Sequence, residues 1–213
     1  MNVMAHHLVI HPQSPQPRLI AQAADCLREG GVIVVPTDSC YALGCRVGDK
    51  AAMDRIRAIR RMDERHHLTL MCRDLSEIAQ YARVDNVQYR FLKAATPGSY
   101  VFLLEGTKEL PRRVLHPKRK TIGLRVPDHP VVQALLAELN EPLLTTTLQL
   151  PEESMPLTEG WEIQDRLDAL VDLILDGGYC GTEPTTVIDL TGRVPELIRA
   201  GCGPLAPLGL EAA

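Results

Sequence analysis

Hydroxyl and guanidinium side chains stand at the ends of predicted strands, and they are the residues best suited to chemistry. Thr37 follows a buried apolar run at residues 32–35, and Thr185 precedes another apolar run. Thr121 and Arg125 bracket a short run that contains a glycine. Arginine offers a planar pair of donors that fits a carboxylate or a phosphate, and hydroxyls orient a ligand without adding charge. Because ligands of open α/β sheets bind at strand ends, we expect electrostatic binding of an anion here rather than a covalent nucleophile.

The common signatures of nucleotide-binding and covalent enzymes do not occur in this sequence. It contains no P-loop, no G-x-G-x-x-G turn, no G-x-S-x-G elbow and no H-E-x-x-H helix. The six cysteines form no C-x-x-C pair, so we predict neither a zinc ribbon nor a tightly held protein-ligated metal. A small buried hydrophobe is the favoured interpretation for each cysteine, with Cys40 and Cys45 of most interest because they flank the hydroxyl-rich turn.

Alternating helix and strand patterns predict the scaffold that positions these residues. Helices are predicted at 18–29, 49–61, after Asp74, at 89–95, after Asp128 and at 162–170. Strands are predicted at 32–35, 68–72, 100–104, 121–126, 143–147, 173–175, 186–190 and 196–199. This order indicates a single α/β domain over residues 1–213, with a mixed sheet, helices on its faces and no internal repeat. Residues 150–160 are the best candidate for a long exposed loop.

The composition of the 213 residues excludes two classes of protein. With 45% apolar residues and a net charge of −4, the chain can bury a sizeable core, which excludes a disordered protein. The longest uncharged apolar stretch, near residues 30–36, falls short of the roughly 20 residues that cross a bilayer. The first residues show no signal-peptide pattern, so we expect a cytoplasmic protein that contacts no membrane.

Charge is unevenly distributed along the chain. Seven basic residues lie within 108–125, a second basic run at 55–65 precedes His66 and His67, and an acidic stretch fills 152–176. Solvated helix faces often look like this, so each run taken alone is as compatible with a surface role as with binding. Two basic runs in a net-acidic protein favour a local anionic ligand, either nucleotide phosphates or an RNA backbone.

The segment G-G-V-I-V-V-P-T-D-S-C-Y-A-L-G at 30–44 resembles the opening motif of the threonylcarbamoyl-AMP synthase family, the YrdC-like proteins, and most of all their YciO branch. Later segments are similar to further family motifs in the same order, over about nine tenths of the chain. They are T-P-G at 96–98, T-I-G-L-R-V-P-D-H-P at 121–130, P-L-L-T-T-T at 142–147, T-T-V-I-D at 185–189 and L-I-R-A-G at 197–201.

This resemblance implies a twisted, mixed α/β sheet with a large basic cavity and an L-threonylcarbamoyl-AMP synthase activity. Such enzymes condense L-threonine, bicarbonate and ATP into threonylcarbamoyl-AMP and pyrophosphate, with Mg²⁺ contributing, for threonylcarbamoyladenosine in tRNA. Double-stranded RNA binding is attributed to them as well. By position, Thr37, Arg125 and Thr185 would contact threonine, and Arg60, Thr121, Thr147 and Arg199 the nucleotide. Arg125 and Arg60 would be the catalytic cations. The basic segment itself, rather than a family motif, indicates Lys118, Arg119 and Lys120 as the residues that would contact RNA.

Two motifs depart from the family pattern. The family's K-x-R motif is replaced by Arg60 and Met62, and a following K-P pair by two histidines, so Arg61 or Arg65 would have to supply the missing cation. The S-x-N motif becomes Thr147-Leu148-Gln149. Loss of one cationic contact worth roughly 3 kcal/mol would slow synthesis on the order of a hundredfold. The resemblance with these changes therefore predicts a weak synthase.

Two other functions are compatible with the same residues. The basic segments suit a double-stranded RNA or tRNA-binding module without synthase turnover. The better match of the threonine-side residues suits a hydrolase of threonylcarbamoyl-AMP or of a related acyl-adenylate. For Arg125 the simpler interpretation is a surface arginine at a strand end, but its place between Gly123 and Pro127 favours a cleft. For Thr185 a strand-forming role is equally open.

Overall fold

The computed structural model of the chain describes residues 4–62 and 68–210, which form one ten-stranded sheet with helices on both faces. The strands are β1 (His6–Val9), β2 (Ile33–Val35), β3 (Ala42–Arg46), β4 (Thr69–Met71), β5 (Tyr100–Glu105), β6 (Thr121–Arg125), β7 (Leu143–Thr147), β8 (Leu173–Asp176), β9 (Thr186–Asp189) and β10 (Glu196–Arg199). The helices are α1 (Pro17–Arg28), α2 (Lys50–Arg60), α3 (Leu75–Tyr81), α4 (Asn86–Ala95), α5 (Pro130–Leu139) and α6 (Gly160–Leu167), with short 3₁₀ turns at Arg112–Val114 and Ala206–Leu208.

The strand order is β1-β8-β2-β3-β7-β4-β6-β5-β9-β10. Strand β8 is parallel to β1 and β2, β4 is parallel to β6, and β5 is parallel to β9, while the other five neighbouring pairs are antiparallel. The predicted mixed sheet is confirmed. Among the described residues, no helix is both long enough and apolar enough to cross a bilayer.

The predicted caps begin the helices where the sequence places them. The Asp49 carboxylate accepts the backbone N–H of Ala52 at 3.0 Å at the start of α2, and the Asp74 carboxylate accepts that of Glu77 at 2.9 Å at the start of α3. These bonds satisfy donors that a helix leaves unpaired at its first turn. At its other end α2 stops at Arg61, whose φ of 48° is left-handed.

Two strands were missed by the sequence patterns. Strand β3 follows directly on the hydroxyl-rich turn and is nearly all buried, so it shows no alternation of apolar and polar residues, and a glycine lies at its centre. Strand β1 is a four-residue edge strand that begins with two histidines. The other predicted strands and helices are present, with ends that differ by up to three residues.

Apolar clusters pack against both faces of the sheet, and helices cover one of these faces only in part. On the partly covered face α1 and α5 pack together over β8, β2, β3 and the adjoining ends of β7 and β4, where Leu143 and Met71 complete the apolar cluster. On β6, β5 and β9 the side chains of this face belong to neither apolar core cluster. The uncovered part of this face forms the floor of a cavity.

Candidate functional site

The cavity has a volume of about 640 Å³, within the range of small-molecule sites. Its floor is formed by Thr69 on β4, Gly123 on β6, Val101 and Leu103 on β5 and Val187 on β9. One wall carries Arg60, Thr146, Thr147 and Gln149, and the other carries Pro184, Thr185, Ile198 and Arg199. Among the described residues, the lining contains two arginines and no acidic side chain.

Strand register places Gly123 at the middle of this floor. Gly123 lies opposite Thr69 of β4 on one side and opposite Leu103 of β5 on the other. A Cβ at this position would lie 2.9 Å from Val101 Cγ1 and 3.2 Å from Thr69 Oγ1, closer than such atoms normally approach. The glycine therefore keeps the floor flat where β6 crosses it.

Four of the predicted site residues line this one cavity: Arg60, Thr147, Thr185 and Arg199. They come from the end of α2, the end of β7, the segment before β9 and the end of β10. More than 130 residues of sequence separate the first from the last, so the sheet topology brings them together. Among the described residues these four share one hollow, whereas Thr37, Thr121 and Arg125, which we also expected there, do not line it.

Arg60 is the cation with the fewest partners in the cavity. Its Nε is buried and has no hydrogen-bond partner within the described part of the chain. Burial lowers the pKa of its guanidinium, and no acid among the described residues opposes that effect. An uncompensated, partly desolvated guanidinium attracts an anionic ligand.

Arg199 is held in the opposite wall by Thr185. Its Nη2 donates to the Thr185 carbonyl at 2.8 Å and lies 3.3 Å from Thr185 Oγ1, while its Nε donates to the same carbonyl at 3.2 Å. The pairing of β10 with β9 shifts register between Leu197 and Arg199, an irregularity of the kind that re-aims side chains. Burial lowers the pKa of Arg199 as well.

Arg125 and Thr37 lie at one end of the floor, outside the described lining of the cavity. Arg125 Nη2 pairs with the carboxylate of Asp38, and Arg125 Nη1 lies 3.4 Å from Ser39 Oγ. Thr37 Oγ1 donates to the carbonyl of Cys40 at 2.7 Å. The ion pair is nearly enclosed, with 6% of the Arg125 side chain and 10% of the Asp38 side chain exposed. Arg125 is thus no surface arginine, and in this structure its charge is met by Asp38.

Asp38 and Ser39 were not singled out as site residues from the sequence. The Asp38 carboxylate also accepts the hydroxyl of Ser99 at 2.9 Å, so it joins two distant segments to the turn. The signal that could have found it is the run of three polar residues directly after a buried strand. Its partner Arg125 lies 87 residues away in sequence, beyond the reach of local patterns.

Thr121 marks the opposite end of the floor from Arg125. The two residues begin and end β6, so their Cα atoms lie roughly 13 Å apart on the same face of the strand. Thr121 and Thr147 lie on one side of the Thr69–Gly123 row, and Arg125 and Thr185 lie on the other. The nucleotide-side and threonine-side residues thus occupy opposite ends, except Arg199, which contacts Thr185.

The altered motif residues lie beside the Arg60 wall. The Met62 sulfur accepts the hydroxyl of Thr146 at 3.9 Å, and Gln149 lines the cavity. Arg61 turns away and pairs with exposed Glu152 at 3.0 Å, so it does not supply the missing cation in this structure. Arg65, His66 and His67 lie outside the described residues.

The three predicted RNA contacts form an exposed turn just before β6. The side chains of Lys118, Arg119 and Lys120 are all exposed. Lys120 Nζ donates to the carbonyl of Pro117 at 2.8 Å, and Arg119 Nη1 lies 4.0 Å from the carboxylate of Asp189. None of the three lines the cavity.

The cysteine thiols are not activated as nucleophiles. All six are free, and burial raises the pKa of Cys40 and Cys45 to about 12 and that of Cys180 to about 11. A thiol acts as a nucleophile only as its thiolate, which these environments disfavour. The interpretation of the cysteines as buried hydrophobes agrees with the burial of Cys40, Cys45, Cys72 and Cys180.

Comparison with known proteins gives a consistent set of relatives. The Sua5/YciO/YrdC family model, described as telomere recombination, matches residues 25–201. The chain is 55% identical over 204 residues to the uncharacterized protein YciO of Escherichia coli K12, covering 96% of this chain and 99% of that one. It is 32% identical over 186 residues to the human threonylcarbamoyl-AMP synthase, covering 83% of this chain and 64% of that one.

Solved structures show the same fold. The crystal structure of Escherichia coli YciO superposes with a TM-score of 0.93 at 55% identity, covering 96% of this chain and all of that one. The crystal structure of P. abyssi Sua5 complexed with L-threonine superposes with a TM-score of 0.84, at 23% identity, covering 92% of this chain and 57% of that one. The latter identity supports the fold alone.

Proposed function

This chain belongs to the Sua5/YciO/YrdC family, and on that premise we propose that it is an ATP-dependent L-threonylcarbamoyl-AMP synthase. A relative with that name is 32% identical over most of this chain. The fold provides one basic cavity of suitable size with hydroxyls and guanidinium groups on facing walls. The proposed product serves tRNA modification.

The reaction joins three substrates in two steps. The amine of threonine forms a C–N bond with the carbon of bicarbonate, and water is lost to give a carbamate. A carbamate oxygen then bonds to the α-phosphorus of ATP, the bond from that phosphorus to the bridging oxygen breaks, and pyrophosphate leaves. Because the second step moves negative charge onto phosphate oxygens, positioned cations can lower its barrier.

The observation that carries the proposal is the state of Arg60. It lines the cavity, and within the described part of the chain its buried Nε has no partner and the lining has no acid to neutralise its charge. It is therefore a cation available to the phosphates, and we assign it to the departing pyrophosphate. Arg199 and the hydroxyls of Thr147 and Thr185 would orient the remainder of the adenylate from the two walls.

Magnesium would reach this site with its substrate. Within residues 4–62 and 68–210 no group of three or more His, Cys, Asp or Glu side chains is placed to hold a metal ion, and the cavity lining has no carboxylate. These residues do not form a protein-built Mg²⁺ site. ATP would therefore be bound as its Mg²⁺ complex, with the ion held by the phosphates.

Pyrophosphate release measures the proposed activity directly. Pure protein with ATP, Mg²⁺, L-threonine and bicarbonate should release pyrophosphate, and omitting either threonine or bicarbonate should stop the release. Release without threonine, or no release with all substrates present, would overturn the proposal. Supplying threonylcarbamoyl-AMP alone and measuring AMP tests the hydrolase alternative in the same preparation.

RNA binding is a second candidate because Lys118, Arg119 and Lys120 are exposed on one short turn. Neutralising phosphates with such residues releases counterions, so RNA affinity should fall steeply with salt. Replacing the three residues by alanine should weaken binding to a double-stranded RNA and flatten that salt dependence. An affinity for RNA that does not change with salt would contradict this candidate.

A further inference from the structure

Arg119 differs from its two basic neighbours in what it faces. Lys120 Nζ folds back onto the carbonyl of Pro117, whereas Arg119 Nη1 lies 4.0 Å from Oδ2 of Asp189. Of the three residues of the turn, only Arg119 has an acidic partner among the described residues. The partner is a sheet residue rather than another surface side chain, so Arg119 leans towards the sheet.

Asp189 belongs to the face of the sheet that carries the cavity floor. It lies two residues after Val187 on β9, so the two side chains share a face, and Val187 lines the cavity. In register, Asp189 lies opposite Leu103, another floor residue, which lies opposite Gly123. Two interstrand spacings place the Cα atom of Asp189 about 10 Å from the Cα atom of Gly123 at the centre of the floor.

The Asp189 carboxylate is fixed and nearly enclosed. Its Oδ1 accepts the backbone N–H of Thr191 at 2.8 Å and the hydroxyl of Thr191 at 2.6 Å, which leaves Oδ2 towards Arg119. Only 12% of the Asp189 side chain is exposed, against 68% for Arg119. Asp189 is the stationary partner, and Arg119 is the one free to move.

The backbone beneath Arg119 is held in place by His116. The N–H groups of Lys118 and Arg119 donate to His116 Nδ1 at 3.2 and 3.0 Å, and the Lys120 N–H donates to the His116 carbonyl at 3.0 Å. Lys120 adopts a left-handed φ of 58°, which closes the turn onto β6. The guanidinium is therefore exposed on an anchored turn beside the floor.

Resting on the proposed function, we propose that Arg119 is a further phosphate-binding residue of the cavity. The described lining holds two guanidinium groups, Arg60 and Arg199, and Arg119 beside the floor would add a third charge-assisted donor for the phosphates of ATP. When ATP binds, Arg119 leaves Asp189 and reaches over Leu103 towards the phosphates. Asp189 holds the arginine at the rim when no nucleotide is bound.

Binding of ATP by isothermal titration calorimetry tests this assignment, with Lys118→Ala as the control. Arg119→Ala should raise the Kd for ATP on the order of tenfold, because a charge-assisted hydrogen bond is lost. Lys118→Ala removes the same charge from the same turn and should change the Kd by less than about twofold. Equal losses of ATP affinity in the two variants would mean that Arg119 acts only through the general positive charge of the turn, which would overturn the proposal.

Asp189→Asn should strengthen ATP binding, which is the opposite of the effect expected for Arg119→Ala. Without the competing carboxylate, Arg119 is released and the affinity for ATP should rise severalfold, and Arg119→Ala in the same chain should abolish that gain. A merely structural Asp189 would give unchanged or weaker binding, which would contradict the proposal. Thermal unfolding checks that each variant folds, and Arg119→Gln replaces Arg119→Ala if the alanine variant does not.

The two levels of inference fail in different ways. If the unmodified protein does not bind ATP, both the proposed function and the role of Arg119 are wrong. If the unmodified protein and Arg119→Ala bind ATP equally, only the role of Arg119 is wrong.

Discussion

Two arginines of the site, Arg125 and Arg60, are in contrasting electrostatic states. Arg125 is enclosed at one end of the floor, and Asp38 on the adjoining turn matches its charge. Arg60 stands in the cavity wall with a buried Nε and no partner among the described residues. If a buried ion pair loses one member, the charge of the other member is left uncompensated. An unpaired cation in a cavity wall has no protein counterion to lose and can pair with an anionic ligand.

Arginine therefore has two different roles in this fold. The Arg125 end joins the turn after β2 to the end of β6 and so determines the shape of the floor. Under the proposed function, the Arg60 end would bind the phosphates of the ligand. Stability should therefore respond most to changes at the Arg125 end, and catalysis should respond most to changes at the Arg60 end.

The largest effect is expected for Asp38→Ala. The variant leaves Arg125 buried without its counterion, which should lower the free energy of unfolding by about 3–5 kcal/mol, measured by urea denaturation. The exposed ion pair of Arg83 with Glu105, at 3.1 Å, is the matched control. Arg83→Ala should cost less than about 1 kcal/mol, and equal costs in the two variants would remove the distinction between the two ends.

Arg60→Ala should have a large effect on catalysis and a small effect on stability, the reverse of Asp38→Ala. Removing a cation from the departing pyrophosphate should slow threonine-dependent pyrophosphate release on the order of a hundredfold. The free energy of unfolding should change by less than about 1 kcal/mol, since no partner is left unpaired. Arg90→Ala, which removes an exposed arginine of α4, should leave the rate unchanged. A large loss of stability in Arg60→Ala would show that this end is structural as well.

Gly123→Ala places a methyl group on the floor between the two ends. The added Cβ would press on Val101 Cγ1 at 2.9 Å, so we expect a loss of about 1–2 kcal/mol in the free energy of unfolding and a weaker affinity for ATP. Gly192→Ala is the control, because its nearest neighbour would lie at 3.5 Å. Normal ATP binding by Gly123→Ala would place the nucleotide away from the middle of the floor.

The smallest effect is expected for Met62→Arg. Met62 contacts Thr146 beside the Arg60 wall, so an arginine there would add a second cation to the open end. Pyrophosphate release should rise roughly fivefold, corresponding to about 1 kcal/mol of added transition-state stabilisation. Met62→Leu keeps the volume without the charge and should not raise the rate. An unchanged rate in Met62→Arg would mean that this side chain does not reach the phosphates.

Local patterns predicted most of the fold and part of the site. Asp49 and Asp74 begin their helices as predicted, because a cap depends on the nearest few residues. Arg60, Thr147, Thr185 and Arg199 were named from their motifs and do share a cavity. The resemblance also named Thr37, Thr121 and Arg125, whose roles towards a ligand stay predictions.

The ion pairs of Arg125 and Arg119 could not be predicted from the sequence. Asp38 meets Arg125 across 87 residues, and Asp189 meets Arg119 across the sheet, so both depend on strand order and register. Strand β3, which carries the chain from the Asp38 turn to the middle of the sheet, was itself missed. Without it, no count along the sequence could place Asp38 near the end of β6.

Strand β10, which carries Arg199, is the last strand of the sheet and pairs only with β9 among the described strands. An edge strand can detach locally without breaking the ladders in the middle of the sheet, so it opens at a lower free-energy cost than β6. The wall of the cavity that carries Arg199 can therefore open locally while the floor stays intact.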